Sequence, residues 1–302
     1  MNRLHQALFG IWLAGAAVAD PLPRLASGSI QRIEHFPSKF VEPRSVDVWL
    51  PDGYSAAKRY SVIYMHDGQM LFDPLLTWNK KAWQVDQTVG RLIREQRIPD
   101  TIVIGIWNSG AYRFSEYFPE KFLPTVTESI RRTYIDSYLK GKPQSDNYLR
   151  FIVQELKPYI DTHYPTRPER QNTFIVGSSM GGMISVYAMN EYPEVFGGAA
   201  GMSIAWISQD TPNFELPLAA FNYLQRHLAP PAGHRLYMDH GTTEMDRWYD
   251  PYQAFVDEIV RDQGYTAENW RSRRIEGTGH NELDWSNRLD SVLEFLMAPT
   301  AR

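Results

Sequence analysis

The chain has 302 residues, 43% of them hydrophobic and 13% aromatic, enough to bury one sizeable core. Its 31 Lys and Arg against 35 Asp and Glu give a net charge of −4, so it carries no basic footprint for nucleic acid or for an anionic membrane surface. It has no cysteine, which excludes thiol catalysis, Cys-ligated zinc, disulfides and a lipoprotein anchor.

Residues 1–19 read as a secretory signal peptide. Arg3 gives a positive start, 7–17 is a short apolar run, and Ala17-Val18-Ala19 offers small residues before Asp20. The run is shorter than the roughly 20 residues a span needs. The expectation is an exported protein, periplasmic or secreted, without stable membrane anchoring. Residues 20–28 read as a flexible leader and 29–302 as a single domain.

Segments 30–36 and 44–50 alternate and predict two antiparallel opening strands, closed by the turn Pro51-Asp52-Gly53-Tyr54. The apolar runs 61–65 and 101–107 suit strands buried on both faces, with helical spacing over 82–95 between them. A loop of aromatics and charges then leads to helical periodicity over 148–163. Strand 173–176, helix 180–191 and strand 197–202 follow. A mixed segment, 203–233, precedes strand 235–239, helix 249–263, strand 269–275 and helix 285–297. Strands and helices alternating in this way predict an α/β class with a mostly parallel central sheet and helices on both faces.

Gly177-Ser178-Ser179-Met180-Gly181 fits G-x-S-x-G between a strand and a helix. Such a turn strains the nucleophile's backbone and needs small neighbours. The register selects Ser179 over Ser178, and the helix N-terminus behind it favours an oxyanion. A serine hydroxyl needs an adjacent base. Of the eight histidines, His5 leaves with the signal, His163 sits late in a helix, and His227 and His234 lie in polar surroundings expected to be exposed. His280, in the loop 277–282 after the last strand, is the expected general base. The third member belongs after the penultimate strand. Asp246 is favoured there, with Glu244 as the alternative acid, while Asp239, Asp250 and a Ser-His dyad stay open. Oxyanion donors are expected from the N–H groups of Met180 and Gln69, with Met70 as a neighbour to Gln69 and Gly68 allowing close approach to the nucleophile. His66 and Asp67 with Asp239 and His240 could also suggest a metal site, against the simpler reading of strand-end groups bonded to the framework.

At these residues the sequence resembles the putative-esterase family of α/β hydrolases, which includes enterochelin esterases, esterase D-type S-formylglutathione hydrolases, feruloyl and acetylxylan esterases, and mycolyltransferases. The resemblance spans roughly 40–297 and rests on YMHDGQMLFD (64–73), NSGAYRFSEYFPEK (108–121), FIVGSSMGGMISVYA (174–188), FGGAAGMS (196–203), DHGTTEMD (239–246) and GTGHNELDW (277–285). It implies an α/β-hydrolase fold without a large lid, and a Ser-His-acid ester hydrolase that needs no cofactor and binds no metal. Where related sequences carry an aromatic-rich segment after Ser203, this chain keeps only Trp206.

Aromatics crowd the expected site loops: Trp78, Trp83, Trp107, Tyr112, Phe114, Tyr117, Phe118, Trp206, Trp248 and Tyr249. They suggest a binding cleft for a sugar face or an aromatic acyl group, with Trp206 and Trp248 as candidate substrate contacts. Arg113, with Asn108 and Glu116, either holds an anionic group or braces the loop. The expected partner is a small-molecule or carbohydrate-linked ester: an acyl sugar, an aromatic-acid ester or a siderophore lactone. The alternatives are an acyltransferase with the same triad, a non-catalytic binding protein on this scaffold, and a serine peptidase.

Overall fold

The computed structural model describes residues 20–208 and 214–298. The signal-peptide expectation for 1–19 lies outside the described residues. Eight strands form one sheet: β1 (Ser29–Phe36), β2 (Arg44–Leu50), β3 (Ser61–His66), β4 (Thr101–Ile106), β5 (Thr173–Ser178), β6 (Gly198–Met202), β7 (Arg235–His240) and β8 (Trp270–Arg274). Their order is β1-β2-β4-β3-β5-β6-β7-β8. β2 runs antiparallel to β1 and β4, and the remaining pairs are parallel.

The helices are α1 (Val85–Arg94), α2 (Arg113–Tyr117), α3 (Glu128–Ser137), α4 (Ser145–Arg150), α5 (Lys157–His163), α6 (Met180–Glu191), α7 (Glu215–His227), α8 (Asp250–Asp262), α9 (Glu282–Ser286) and α10 (Leu289–Met297). They cover both faces of the sheet. Val62, Tyr64 and Ile175 point into a core built with α4, α6, α7 and α8. Ile63, Met65, Phe174 and Val176 alternate to the other face, against α1 and α10. This two-sided burial explains why β3, β4 and β5 read as unbroken apolar runs. β8 is an edge strand carrying Arg271, Arg273 and Arg274, charges that discourage pairing with a further chain.

Four predicted spans differ from the structure for physical reasons. The helix expected over 148–163 is α4, a wider π turn (Phe151–Leu156) and α5. The π turn precedes Pro158, which has no N–H to continue a regular ladder. The loop of aromatics and charges contains α2 and α3; α3 buries only Tyr134, so no apolar stripe marked it. The mixed segment holds α7, with Pro217 in its first turn, where proline is tolerated. The final helix breaks into α9 and α10, and Arg288 lies in the break.

Candidate active site

Parallel strands point their carboxyl ends to one edge, and there β5, β6 and β7 deliver the candidate residues side by side. Ser179, between β5 and α6, has φ 56° and ψ −125°, a strained conformation held because its N–H donates to Met202 O at 2.9 Å. A Cβ at Gly177 would lie 2.5 Å from the backbone of Gly181, so only glycine lets α6 turn back so sharply. Asp67 (φ 56°), Ser203 (φ 47°) and Glu244 (φ 52°) also hold left-handed backbones. Together with Ser179 they follow β3, β5, β6 and β7, concentrating strain around one edge.

His280 Nδ1 lies 2.7 Å from Asp246 Oδ1, and the Asp246 side chain is fully buried. Glu244 takes a different place: its Oε2 accepts the backbone N–H of His280 at 2.6 Å. Of the two candidate acids, Asp246 meets the imidazole and Glu244 meets the main chain of the same loop. Asp239 is ion-paired to Arg288 at 2.9 Å, and Asp250 bonds Arg274 and His240. Burial opposes ionisation of Asp246. Hydrogen bonding and charge from His280, with donors from Ser203 and Gly241, outweigh it and hold the carboxyl below its ordinary range. The His280 ring packs edge-on against Trp285, with centroids 5.1 Å apart.

Among the described residues no hydrogen bond joins Ser179 Oγ to His280. Catalytic bonds of this kind are often long without substrate and tighten when it binds. The connection runs through Met202–Ser203: Ser179 N–H holds Met202 O, and Ser203 Oγ donates to Asp246 Oδ2 at 2.5 Å.

Met180 opens α6, so its N–H has no acceptor inside the helix. Gln69 sits in the short turn Gly68–Met70 after β3, and its N–H likewise precedes any intrahelical acceptor. The Met70 N–H is already given to Asp67 O at 2.8 Å. The close approach that Gly68 allows here is to β4: a Cβ there would meet Gly105 at 2.6 Å.

The loop before Gln69 is braced. Arg113 grips Asp67, Asn108 Nδ2 donates to the same carboxylate at 2.7 Å, and Tyr117 OH accepts the Asp67 N–H at 3.2 Å. Burial works against the Asp67 charge, but the Arg113 guanidinium and the Arg113 and Asn108 hydrogen bonds prevail and lower its pKa. Glu116 is committed elsewhere, in a buried pair with Arg44. Arg113 is therefore a loop brace in this structure rather than a free anion receptor. The Asp67 carboxylate also lies against α6, 3.3 Å from where a Gly181 Cβ would stand.

Several expectations need correction. Trp206 is 3% exposed, with its indole N–H donated to Gln253, so it offers no ring face to a ligand. Trp248 is half-buried against the core, with the Arg247 guanidinium 4.8 Å over its ring. Trp83, Tyr117, Phe118 and Tyr249 are also buried. Packing claims most of the aromatic cluster, and Trp78 (84% exposed) and Tyr112 are its exposed members. His234 is buried, both ring nitrogens bonded to the carbonyls of Pro230 and Pro193; nearby prolines hid that in the sequence. The His66/Asp67 and Asp239/His240 pairs end β3 and β7, three sheet positions or roughly 14 Å apart, too far to share one ion. Sequence reasoning missed Ser203 and Arg288: Ser203 ends the FGGAAGMS segment with nothing to mark its hydroxyl as a site group, and Arg288 lies outside the quoted motifs.

A family model described as Putative esterase matches residues 38–296. YjcH of Bacillus subtilis is 27% identical over 172 residues, covering 57% of this chain and 60% of that protein; the chain therefore matches less than two thirds of this relative's length. A solved ferulic acid esterase superposes with a TM-score of 0.65 at 18% identity, covering 90% of this chain and 98% of that one. The enterobactin esterase FES from Shigella flexneri gives 0.62 at 18% identity, covering 91% of this chain and 60% of that one. These likenesses establish the α/β-hydrolase type of fold.

Proposed function

This chain belongs to the putative esterase family, and we propose that it is an exported serine carboxylic ester hydrolase acting through an acyl-enzyme. Ser179 Oγ attacks the ester carbonyl carbon as His280 Nε2 takes its proton. Asp246 holds the Nδ1–H and stabilises the imidazolium, and the N–H groups of Met180 and Gln69 receive the oxyanion. Collapse of the intermediate expels the alcohol, protonated by His280. The same imidazole then deprotonates a water that releases the acid and restores Ser179.

The observation that carries this reading is the 2.7 Å His280–Asp246 contact at the same sheet edge as the strained Ser179. Export is supported by the charge, apolar run and small residues of 1–19. The substrate classes we propose are an aromatic-acid ester, an acyl sugar or a siderophore lactone. They follow the expectation from sequence and the names of two structural neighbours, a ferulic acid esterase and an enterobactin esterase.

The test is a panel of p-nitrophenyl acyl esters, methyl ferulate, acetylated xylan and a catecholate trilactone, assayed with wild type and Ser179→Ala. Ester cleavage lost in the variant supports the reading. Cleavage that persists in Ser179→Ala, or no cleavage of any ester, contradicts it.

A further inference from the structure

We propose that Ser203 is a positioning residue for this reaction, its hydroxyl fixing Asp246 and, through it, the tautomer of His280. The inference rests on the assignment of Ser179, His280 and Asp246 above. A serine hydroxyl has one proton and two lone pairs. Trp285 Nε1 donates to Ser203 Oγ at 2.9 Å and Arg288 Nη2 at 3.0 Å. Both groups are donors only, so the lone pairs are taken and the Ser203 proton is directed to Asp246 Oδ2, 2.5 Å away.

Asp246 Oδ2 also accepts the Gly241 N–H at 2.6 Å. With Oδ2 occupied by two donors, Oδ1 is left to His280 Nδ1. An ionised carboxylate only accepts, so Nδ1 must carry the hydrogen and Nε2 keeps the lone pair that a base requires.

The support beneath Ser203 is itself closed. Arg288 gives Nε and Nη2 to the Asp239 carboxylate at 2.9 and 3.0 Å, and Nη1 to Thr278 Oγ1 and Asp284 O at 3.3 and 3.2 Å. Tyr237 OH and the Ser203 N–H complete Asp239. One buried guanidinium thus ties β6, β7 and the His280 loop together, and the break between α9 and α10 is where it enters. A hydroxyl with no accessible surface, in a left-handed backbone and with every valence used, is built to hold a neighbour rather than to react. The other ionisable groups facing this pair are Glu244, on the His280 N–H, Asp284, on the Gly279 N–H, and Tyr249, 6.1 Å from the His280 ring.

The experiment compares wild type, Ser203→Ala and Ser203→Gly for ester hydrolysis across pH. Glycine suits the positive φ, so it guards against a folding failure of the alanine variant. The expected loss is about tenfold in kcat, worth about 1.4 kcal/mol, with KM unchanged. The acid limb of the kcat/KM profile moves up by about half a pH unit, because Asp246 with one donor fewer keeps more charge for the imidazolium. Both variants showing the wild-type limb and wild-type kcat would overturn the proposal while leaving the esterase reading intact. Activity persisting in Ser179→Ala would remove the reading itself.

Discussion

Arg113 closes on Asp67 with two parallel bonds of 2.7 Å, Nε to Oδ1 and Nη2 to Oδ2. Asp67 sits immediately before the turn that presents the Gln69 N–H, and its backbone is in the left-handed region at φ 56°. A bidentate fork resists rotation in a way a single ammonium does not. Arg113→Lys is therefore expected to lower kcat by about tenfold or more, approaching the 10²–10³ of a lost oxyanion donor if the turn relaxes fully. KM for a small ester should change little. Steady-state kinetics on p-nitrophenyl acetate checks it; a raised KM at constant kcat would mean that Arg113 binds substrate instead.

The two loop carboxylates should separate cleanly. Asp246→Asn cannot favour the Nδ1–H tautomer and should cost about 10⁴-fold in kcat. Glu244→Gln keeps an oxygen that can accept the His280 backbone N–H, so a loss under about fivefold is expected. The reverse order would transfer the acid role to Glu244.

His66 couples stability to pH. Its ring is buried between Tyr117 and Tyr148, Nδ1 lies 2.8 Å from the Tyr148 hydroxyl, and Nε2 has no hydrogen-bond partner among the described residues. Burial, with Arg113 adding to it and Asp67 opposing, pushes its pKa down to about 3 from 6.5. Below 6.5 the unfolded chain binds a proton that the native state refuses. This contribution is therefore whole above that pH and is lost as pH falls towards 3, at about 1.4 kcal/mol per pH unit. Urea unfolding of His66→Gln between pH 6.5 and 4 should show a slope shallower than wild type by about one proton. Parallel slopes would contradict the buried neutral imidazole.

Gly177 tests the turn. A Cβ there would collide with the Gly181 backbone at 2.5 Å. Gly177→Ala should destabilise by about 1–3 kcal/mol and reduce kcat, because relief of the clash displaces Ser179. Unchanged thermal unfolding and activity would show that the elbow has room to spare.

Much of this was legible in the sequence because buried parallel strands write themselves as apolar runs. 61–65, 101–107 and 173–176 match β3, β4 and β5 within two residues. His280 and Asp246 could be placed as neighbours from chain order, since loops after β7 and β8 meet at one edge. What stayed hidden depends on tertiary partners. α3 has no apolar stripe, and Trp206 reads as a loop aromatic until α7 and α8 cover it. Arg113 looks like an anion receptor until Asp67 takes it. Ser203 and Arg288 lie 85 residues apart and meet only in the fold.

The central claim is that the Ser179 hydroxyl is activated by the His280–Asp246 pair. Intact-mass measurement after treatment with a fluorophosphonate tests it most directly. The account predicts one adduct, mapped to Ser179, formed rapidly by wild type, absent from Ser179→Ala, and slowed by orders of magnitude in His280→Ala and Asp246→Asn. Labelling at another residue, or labelling of Ser179 at the wild-type rate in His280→Ala, would contradict it.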